Sequence, residues 1–294
     1  MTAKRTDLAD ELLEIAGGKL PGIRIETIVG DPLPAQMLTV DSDEAGRSIG
    51  KEKGRYVTLE LGKIWDRRDV YFTECSNAVA DCLSRLLPSG LESVLVVGLG
   101  NRNITPDALG PVCADHIMVT RHLVDELPDL FGNLRPVSAL QPGVLGLTGV
   151  ETGEIVKGVC EKCSPSAVIA VDALASRRVS RVLRTVQLTD SGIMPASGLG
   201  QTRFPLNMQT LGIPCIAIGV PTVVDALTLT ADVLEDAGIT APEGITQDSE
   251  YSRMLVTPRD IDAEMAVVAK IIGYGINLAL QPGYDCEAIN AFLA

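Results

Sequence analysis

Three observations predict an α/β fold of three layers, α/β/α, around a mostly parallel sheet. Short apolar runs alternate with helical stretches along the 294 residues, the pattern of parallel strands joined by crossovers. Several runs end in a polar or glycine-containing turn, as strands do at the carboxyl edge of an open sheet. The stretch 21–64 departs from that rhythm, mixing short β-like pieces with Pro and Gly, and predicts a small N-terminal antiparallel element appended to the main unit.

The elements follow in chain order. Met1 to Glu11 turns acidic where an export signal needs an apolar segment, so no export signal is predicted. Ile23–Val29, Met37–Val40 and Tyr56–Leu61 supply the antiparallel pieces. Residues 70–87 carry Val79, Cys82, Leu83 and Leu86 at helical spacing and should pack on the sheet. Val94–Leu99 is the clearest strand, and residues from about Asp107 to Val124 read as the helix after it. Val168–Val171, Val186–Leu188 and Cys215–Val220 are further strands, with Asp172 and the Gly219 to Asp225 stretch at their closing turns. A polar loop over 236–252 precedes a final amphipathic helix, Asp260–Leu280. There is no internal repeat and no low-complexity tract.

Composition narrows the function. A hydrophobic share of 46% with 21% charged residues suits a chain that buries a core. The balance of 25 basic against 38 acidic residues leaves a net charge of −13, which repels nucleic-acid backbones and anionic lipid surfaces. Runs such as Val94–Val97 and Cys215–Val220 are strand-sized, far short of the ~20 residues of a membrane-spanning helix. Seven scattered cysteines suit a reducing cytoplasm. The close pair Cys160 and Cys163 lacks a second half for a zinc site and reads as helix-end cysteines. Neither a cofactor nor a metal is predicted.

The turn Gly98-Leu99-Gly100-Asn101 follows a strand as a dinucleotide loop would, but position 103 is Asn and Asp107 occupies the place of a pyrophosphate. A nucleotide site is rejected there. Asp107 alone would be an ordinary helix cap. Asp172 and Asp225, however, also lie at or just past strand ends, and carboxylates at the carboxyl edges of neighbouring strands converge in one crevice. Mutual repulsion then keeps a proton on one while the other stays ionised, the arrangement for acid and base work on water. The two histidines, His116 and His122, lie six residues apart and point to different faces, which disfavours both a nucleophilic triad and a zinc pair. Arg177, Arg178, Arg181 and Arg184 form a basic run that could steer an acidic substrate.

These motifs resemble those of the germination protease family of spore-forming bacteria. The resemblance rests on Val96-Val97-Gly98-Leu99-Gly100-Asn101, Thr105-Pro106-Asp107-Ala108-Leu109-Gly110-Pro111, Thr120-Arg121-His122-Leu123, Arg135-Pro136-Val137-Ser138-Ala139 and Pro142-Gly143-Val144. It continues in Val171-Asp172-Ala173-Leu174-Ala175, Asp190-Ser191-Gly192-Ile193 and Gly219-Val220-Pro221-Thr222-Val223-Val224-Asp225-Ala226. It runs from Arg5 to the C-terminal helix, although 236–252 is shorter than in longer members.

The resemblance implies a phosphorylase/hydrolase-like fold, similar to that of the hydrogenase-maturation endopeptidases, and an atypical aspartic endopeptidase that degrades small acid-soluble spore proteins during germination. Asp107 and Asp172 match the family's two essential aspartates. A self-processing zymogen is implied, with residues 1–7 as propeptide, a cut between Asp7 and Leu8, and 8–294 as a single peptidase domain. In the zymogen, residues 1–7 either cover the crevice or hold a loop inactive. Also implied are a homotetramer, residence in the cytoplasm of the forespore and spore core, and a preference for acidic residues at the cut, for which Arg121, Arg177 and Arg178 are the candidate readers. Two other functions compete: a nickel-sensing maturation endopeptidase, against which stands the lack of any histidine after His122, and a non-catalytic scaffold that binds spore proteins, for which two buried carboxylates would be a pure cost.

Overall fold

The computed structural model describes residues 5–62, 71–194, 204–239, 251 and 254–294. Its strands are β1 (Ile23–Val29), β2 (Ala35–Val40), β3 (Gly54–Glu60), β4 (Val94–Gly98), β5 (Val137–Leu140), β6 (Ala167–Ser176), β7 (Thr185–Thr189), β8 (Cys215–Asp225) and β9 (Leu255–Val256). Among the described residues the helices are α1 (Ala9–Ile15), α2 (Asp43–Ile49), α3 (Tyr71–Ser84), α4 (Leu109–Ala114), α5 (Arg121–Glu126), α6 (Pro128–Phe131), α7 (Leu145–Thr148), α8 (Thr152–Cys163), α9 (Met208–Leu211), α10 (Ala226–Asp236), α11 (Ile261–Leu280) and α12 (Cys286–Leu293). The strands form one sheet in the order β1-β2-β3-β7-β8-β6-β4-β5, with β9 paired to β8.

Strands β5, β4, β6 and β8 pair in parallel, and β7, β3, β2 and β1 continue the sheet antiparallel. The N-terminal β pieces are therefore not a separate appendage. They extend the main sheet through the pairing of β3 with β7, from Tyr56↔Thr189 to Glu60↔Thr185.

Alternation along the strands divides the side chains between two faces. On one face Val96, Ile169, Val171, Val186, Leu188 and Ile218 pack against Val79 and Leu83 of α3, Leu109 and Cys113 of α4, and Val268 and Ile272 of α11. On the other, Leu95, Val97, Val168 and Ala170 pack under Val156 and Cys160 of α8. Still on that side, Ala9 and Leu13 of α1 join Ala45 and Ile49 of α2 over Leu38, Val40 and Tyr56. The alternate residues of β7, Thr185, Gln187 and Thr189, are polar although buried. A crevice opens on this second face.

The structure corrects three expectations. The helix read over Asp107 to Val124 is broken into a 3₁₀ turn at Thr105–Asp107, α4 and α5. Tertiary partners take over the backbone groups between α4 and α5: Met118 N–H donates to Asn277 Oδ1 at 2.9 Å, and Thr120 N–H to the Val137 carbonyl at 3.0 Å. Asp172 does not close its strand, because β6 runs on to Ser176 beside an equally extended β8. Helix α11 is less a surface helix than the core of its layer: it is long and apolar enough to cross a membrane, but 67% of that apolar stretch is buried inside the molecule. Most of the 236–252 loop lies outside the described residues.

The β4–α4 connection is held by close backbone approach. A Cβ on Gly110 would overlap the Leu99 backbone and the Val171 carbonyl oxygen. Gly110→Ala is expected to cost about 1–3 kcal/mol through overpacking, read as a fall in Tm of about 2–4 °C per kcal/mol for a chain of this size.

Candidate active site

The crevice has a volume of about 830 Å³, and both Asp107 and Asp172 line it, together with Asp7, Lys51, Tyr56 and Gln187. Asp107 reaches it from the turn after β4. Its Oδ2 accepts the Asn101 N–H at 2.8 Å, and its own N–H donates to the Ile104 carbonyl at 2.8 Å. Gly100 permits this closure with φ at 111°, and a Cβ there would overlap the Asp107 carbonyl. The carboxylate thus occupies the N–H at which a phosphate would have to bind, which is the physical reason this glycine turn is no nucleotide site.

A bulge in β8 secures the turn from the other side. Leu174 pairs with Pro221 and Ala175 with Val223, so Thr222 stands unpaired in the ladder. Its Oγ1 donates to the Pro106 carbonyl at 2.6 Å. A bulge re-aims one side chain without ending the strand, a common device beside functional sites.

Asp172 sits within β6, buried at 7% exposure, with Oδ1 accepting the Ala173 N–H at 2.9 Å. Parallel pairing of β4 with β6 sets Gly98 opposite Val171, which brings the Asp107 turn alongside Asp172. Across β8, Gly219 pairs with Asp172 on one side and Gln187 on the other. Paired residues share a face, so Asp172 and Gln187 flank a strand position that has no side chain, their backbones roughly 10 Å apart, or two strand spacings.

The N-terminal segment lies in this crevice. Asp7 N–H donates to the Ala175 carbonyl at 2.8 Å, and Asp7 Oδ2 accepts the Ala175 N–H at 2.8 Å. Arg5 N–H donates to Thr228 Oγ1 at 3.0 Å, and Leu8 is fully buried. Glu11, buried in α1, accepts from Thr6 Oγ1 at 2.5 Å and from the Arg177 and Arg178 N–H groups at 2.7 and 3.1 Å. The described part of the segment lines the crevice through Arg5 and Asp7; residues 1–4 lie outside the described residues.

The three arginines proposed to read substrate lie elsewhere. None lines the crevice. Arg177 is paired with Asp232 and Glu235 of α10, Arg178 with Glu14 of α1, and Arg121 with Asp125 in its own helix. Arg181, of the same basic run, binds Asp10 at 2.9 Å and also Glu60. Arg178 and Arg181 fasten the acidic helix α1 and Arg177 fastens α10, so the charges of these three are spent within the molecule. Burial raises the Glu60 carboxyl above its ordinary range, opposed by Arg181 and the Thr185 hydroxyl.

Other sequence candidates keep structural roles. Asp225 caps α10, its Oδ1 accepting the Thr228 N–H at 2.9 Å. His116 and His122 do not line the crevice; burial, then the nearby Lys270, lowers the His116 imidazole. Burial pushes the thiols of Cys82 and Cys160 up to about 11 and that of Cys215 to about 12, leaving them protonated and unreactive. Among the described residues no group of three or more His, Cys, Asp or Glu is placed to hold a metal. Sequence reasoning missed Lys51, Tyr56 and Gln187. The polar alternation Thr185, Gln187, Thr189 within a strand was a usable signal for the last; Lys51, followed by Glu52 and Lys53, reads as a solvated charge run. Tyr56, its phenol pushed up to about 12 chiefly by burial, is a neutral group that donates to the Glu52 carbonyl at 2.7 Å.

Comparison with known proteins agrees with these motifs. The family model described as germination protease matches residues 7–237. A germination protease of Clostridium acetobutylicum is 40% identical, with 100% of each chain covered. That of Priestia megaterium is 34% identical over 98% of this chain and 96% of its own, and that of Bacillus licheniformis 45% identical over 79% and 66%. Among solved structures, a NiFe hydrogenase maturation protease from Thermococcus kodakarensis matches with TM-score 0.33 and 18% identity, covering 65% of this chain and 98% of its own.

The arginine run yields a stability prediction. Arg181→Ala breaks a half-buried two-partner contact and should cost at least about 2 kcal/mol, with faster amide exchange across α1. Arg178→Ala removes an exposed pair at 3.5 Å and should change stability by no more than about 0.5 kcal/mol. Chemical denaturation of both variants checks the ordering.

Proposed function

Because the chain belongs to the germination protease family, we propose that it is an aspartic endopeptidase that starts the degradation of small acid-soluble spore proteins during germination, made as a zymogen that cuts its own Asp7–Leu8 bond. The observation that carries this reading is the meeting of Asp107 and Asp172, distant in sequence, in one crevice that also holds Asp7. Two carboxyls in a partly desolvated site cannot easily both ionise, so one proton is divided between them. The ionised carboxylate removes a proton from water as it attacks the peptide carbonyl, and the protonated one serves the leaving nitrogen.

The N-terminal segment supports self-processing. Asp7 is extended against β6 as a substrate strand would be, through its backbone N–H and its carboxylate. Cleavage after Asp7 would release residues 1–7 and leave α1 anchored by Glu11 and Asp10. The same reading makes the protein a homotetramer of the forespore and spore core.

The isosteric changes Asp107→Asn and Asp172→Asn should each lower cleavage of a small acid-soluble spore protein by at least about 1000-fold, with Tm unchanged within a few degrees. Self-processing should stop in both, and the wild-type product should begin at Leu8 when its N-terminus is sequenced. Wild-type-like cleavage by either variant rejects the aspartate-pair mechanism.

A further inference from the structure

The carbonyl oxygen of Asp7 accepts two side-chain hydrogen bonds, from Lys51 Nζ at 2.7 Å and from Gln187 Nε2 at 3.3 Å. The amide of Gln187 is fixed in direction, because its Oε1 accepts the Ala9 N–H at 2.6 Å. One side chain therefore spans both sides of Leu8. Lys51 is aimed by the end of α2, where Gly50 turns at φ 67° and the Lys51 N–H closes onto the Gly46 carbonyl at 3.0 Å. Its ammonium also lies 5.9 Å from the centre of the Tyr56 ring.

Anchoring a peptide does not require this arrangement. A neutral donor satisfies a neutral carbonyl, whereas an ammonium withdrawn from water loses several kcal/mol of hydration. That loss is visible in Lys51, whose burial lowers it from the ordinary lysine range against the opposing pull of Asp7 and Asp10. The charge repays more of its desolvation when the oxygen it faces itself becomes charged, and fixed donors aimed at a developing oxyanion give large rate effects in a water-poor site. The sheet register adds an independent observation. Gln187 and Asp172 lie in one row, on one face, with only Gly219 between them. A peptide carbonyl seated there has a carboxylate on one side and amide and ammonium donors on the other.

The geometry points to Lys51 and Gln187 as catalytic residues, the oxyanion-holding pair for hydrolysis of the Asp7–Leu8 bond and of any substrate bond that takes its place. The inference rests on the reading that the protein cuts itself there. Water adds through oxygen to the Asp7 carbonyl carbon and gives one proton to the aspartate pair. The carbonyl π electrons move onto oxygen, where Lys51 and Gln187 hold the negative charge. Their return re-forms the carbonyl and breaks the carbon–nitrogen bond, and the Leu8 nitrogen leaves as an amine with a proton from the pair. The new carboxyl passes its remaining proton to the amine, so the products are an Asp7 α-carboxylate and a Leu8 α-ammonium, with no change of oxidation state.

The test uses the full chain and the variants Lys51→Met, Gln187→Glu and Asp172→Asn. Gln187→Glu keeps the acceptor for the Ala9 N–H while removing the donor to Asp7. Self-processing is followed by mass spectrometry, and kcat and KM are measured with a small acid-soluble spore protein. Lys51→Met should lower kcat by about 100-fold and Gln187→Glu by about 10-fold, with KM within about twofold of wild type. A rise in KM at constant kcat would mean that the two residues only anchor the peptide, and overturns the inference. A product beginning at Leu8 with wild-type kcat in Lys51→Met also overturns it, while leaving the aspartate mechanism intact. Wild-type activity of Asp172→Asn, or a processed chain beginning elsewhere, overturns the underlying reading instead. Should Lys51→Met fail to fold, unchanged kcat in Gln187→Glu is decisive against the pair.

Discussion

The site depends on the close approach of the β4–α4 connection to strand β6. Register sets Gly98 opposite Val171, the Leu99 N–H donates to the Val171 carbonyl at 2.8 Å, and Gly110 lies against both without room for a side chain. The turn that follows β4 can then fold over its own glycine and present Asp107 beside Asp172. Hydrogen bonds from Asn101 and Thr222 hold the turn on its two sides. The two aspartates are brought to one crevice by backbone packing, which is stiff.

The same sheet has unlike faces. One is closed by α3, α4 and α11 over apolar residues of the central strands; the other is roofed at two places, by α8 over the parallel strands and by α1 and α2 over the antiparallel ones. The gap between the two roofs is the crevice. Gln187 and Thr189 of β7 are buried polar residues in it, costly unless they have partners. The N-terminal segment supplies such partners for Gln187, through the Ala9 N–H and the Asp7 carbonyl. Filling the gap with the chain's own N-terminal segment satisfies both ends of the Gln187 amide.

Under the proposed function, a net charge of −13 raises the question of how an acidic peptide would be accommodated. Arg177, Arg178 and Arg181 do not answer it, since they are paired with Asp10, Glu14, Asp232 and Glu235. Lys51 and Arg5, unlike the arginine run, line the crevice itself.

Strand and helix positions were largely legible in the sequence because alternation and helical spacing record which side of each element faces a core. The same patterning placed Asp107 and Asp172 in a common crevice, with the glycine turn and the apolar strand before each as the visible signs. The sequence could not reveal that β6 and β8 run past their polar residues, since the pairing that prolongs them lies in the partner strand. It could not show that Asn277 and Val137 break the helix expected up to Val124, or that the arginine run is neutralised by α1 and α10. Sequence by itself determined the element types, the acidic character and the two carboxylates; tertiary structure alone decided which charged groups are free to face a substrate. Propensity and periodicity are properties of neighbours along the chain, whereas ion pairing, register and the row joining Gln187, Gly219 and Asp172 exist only between segments that folding brings together.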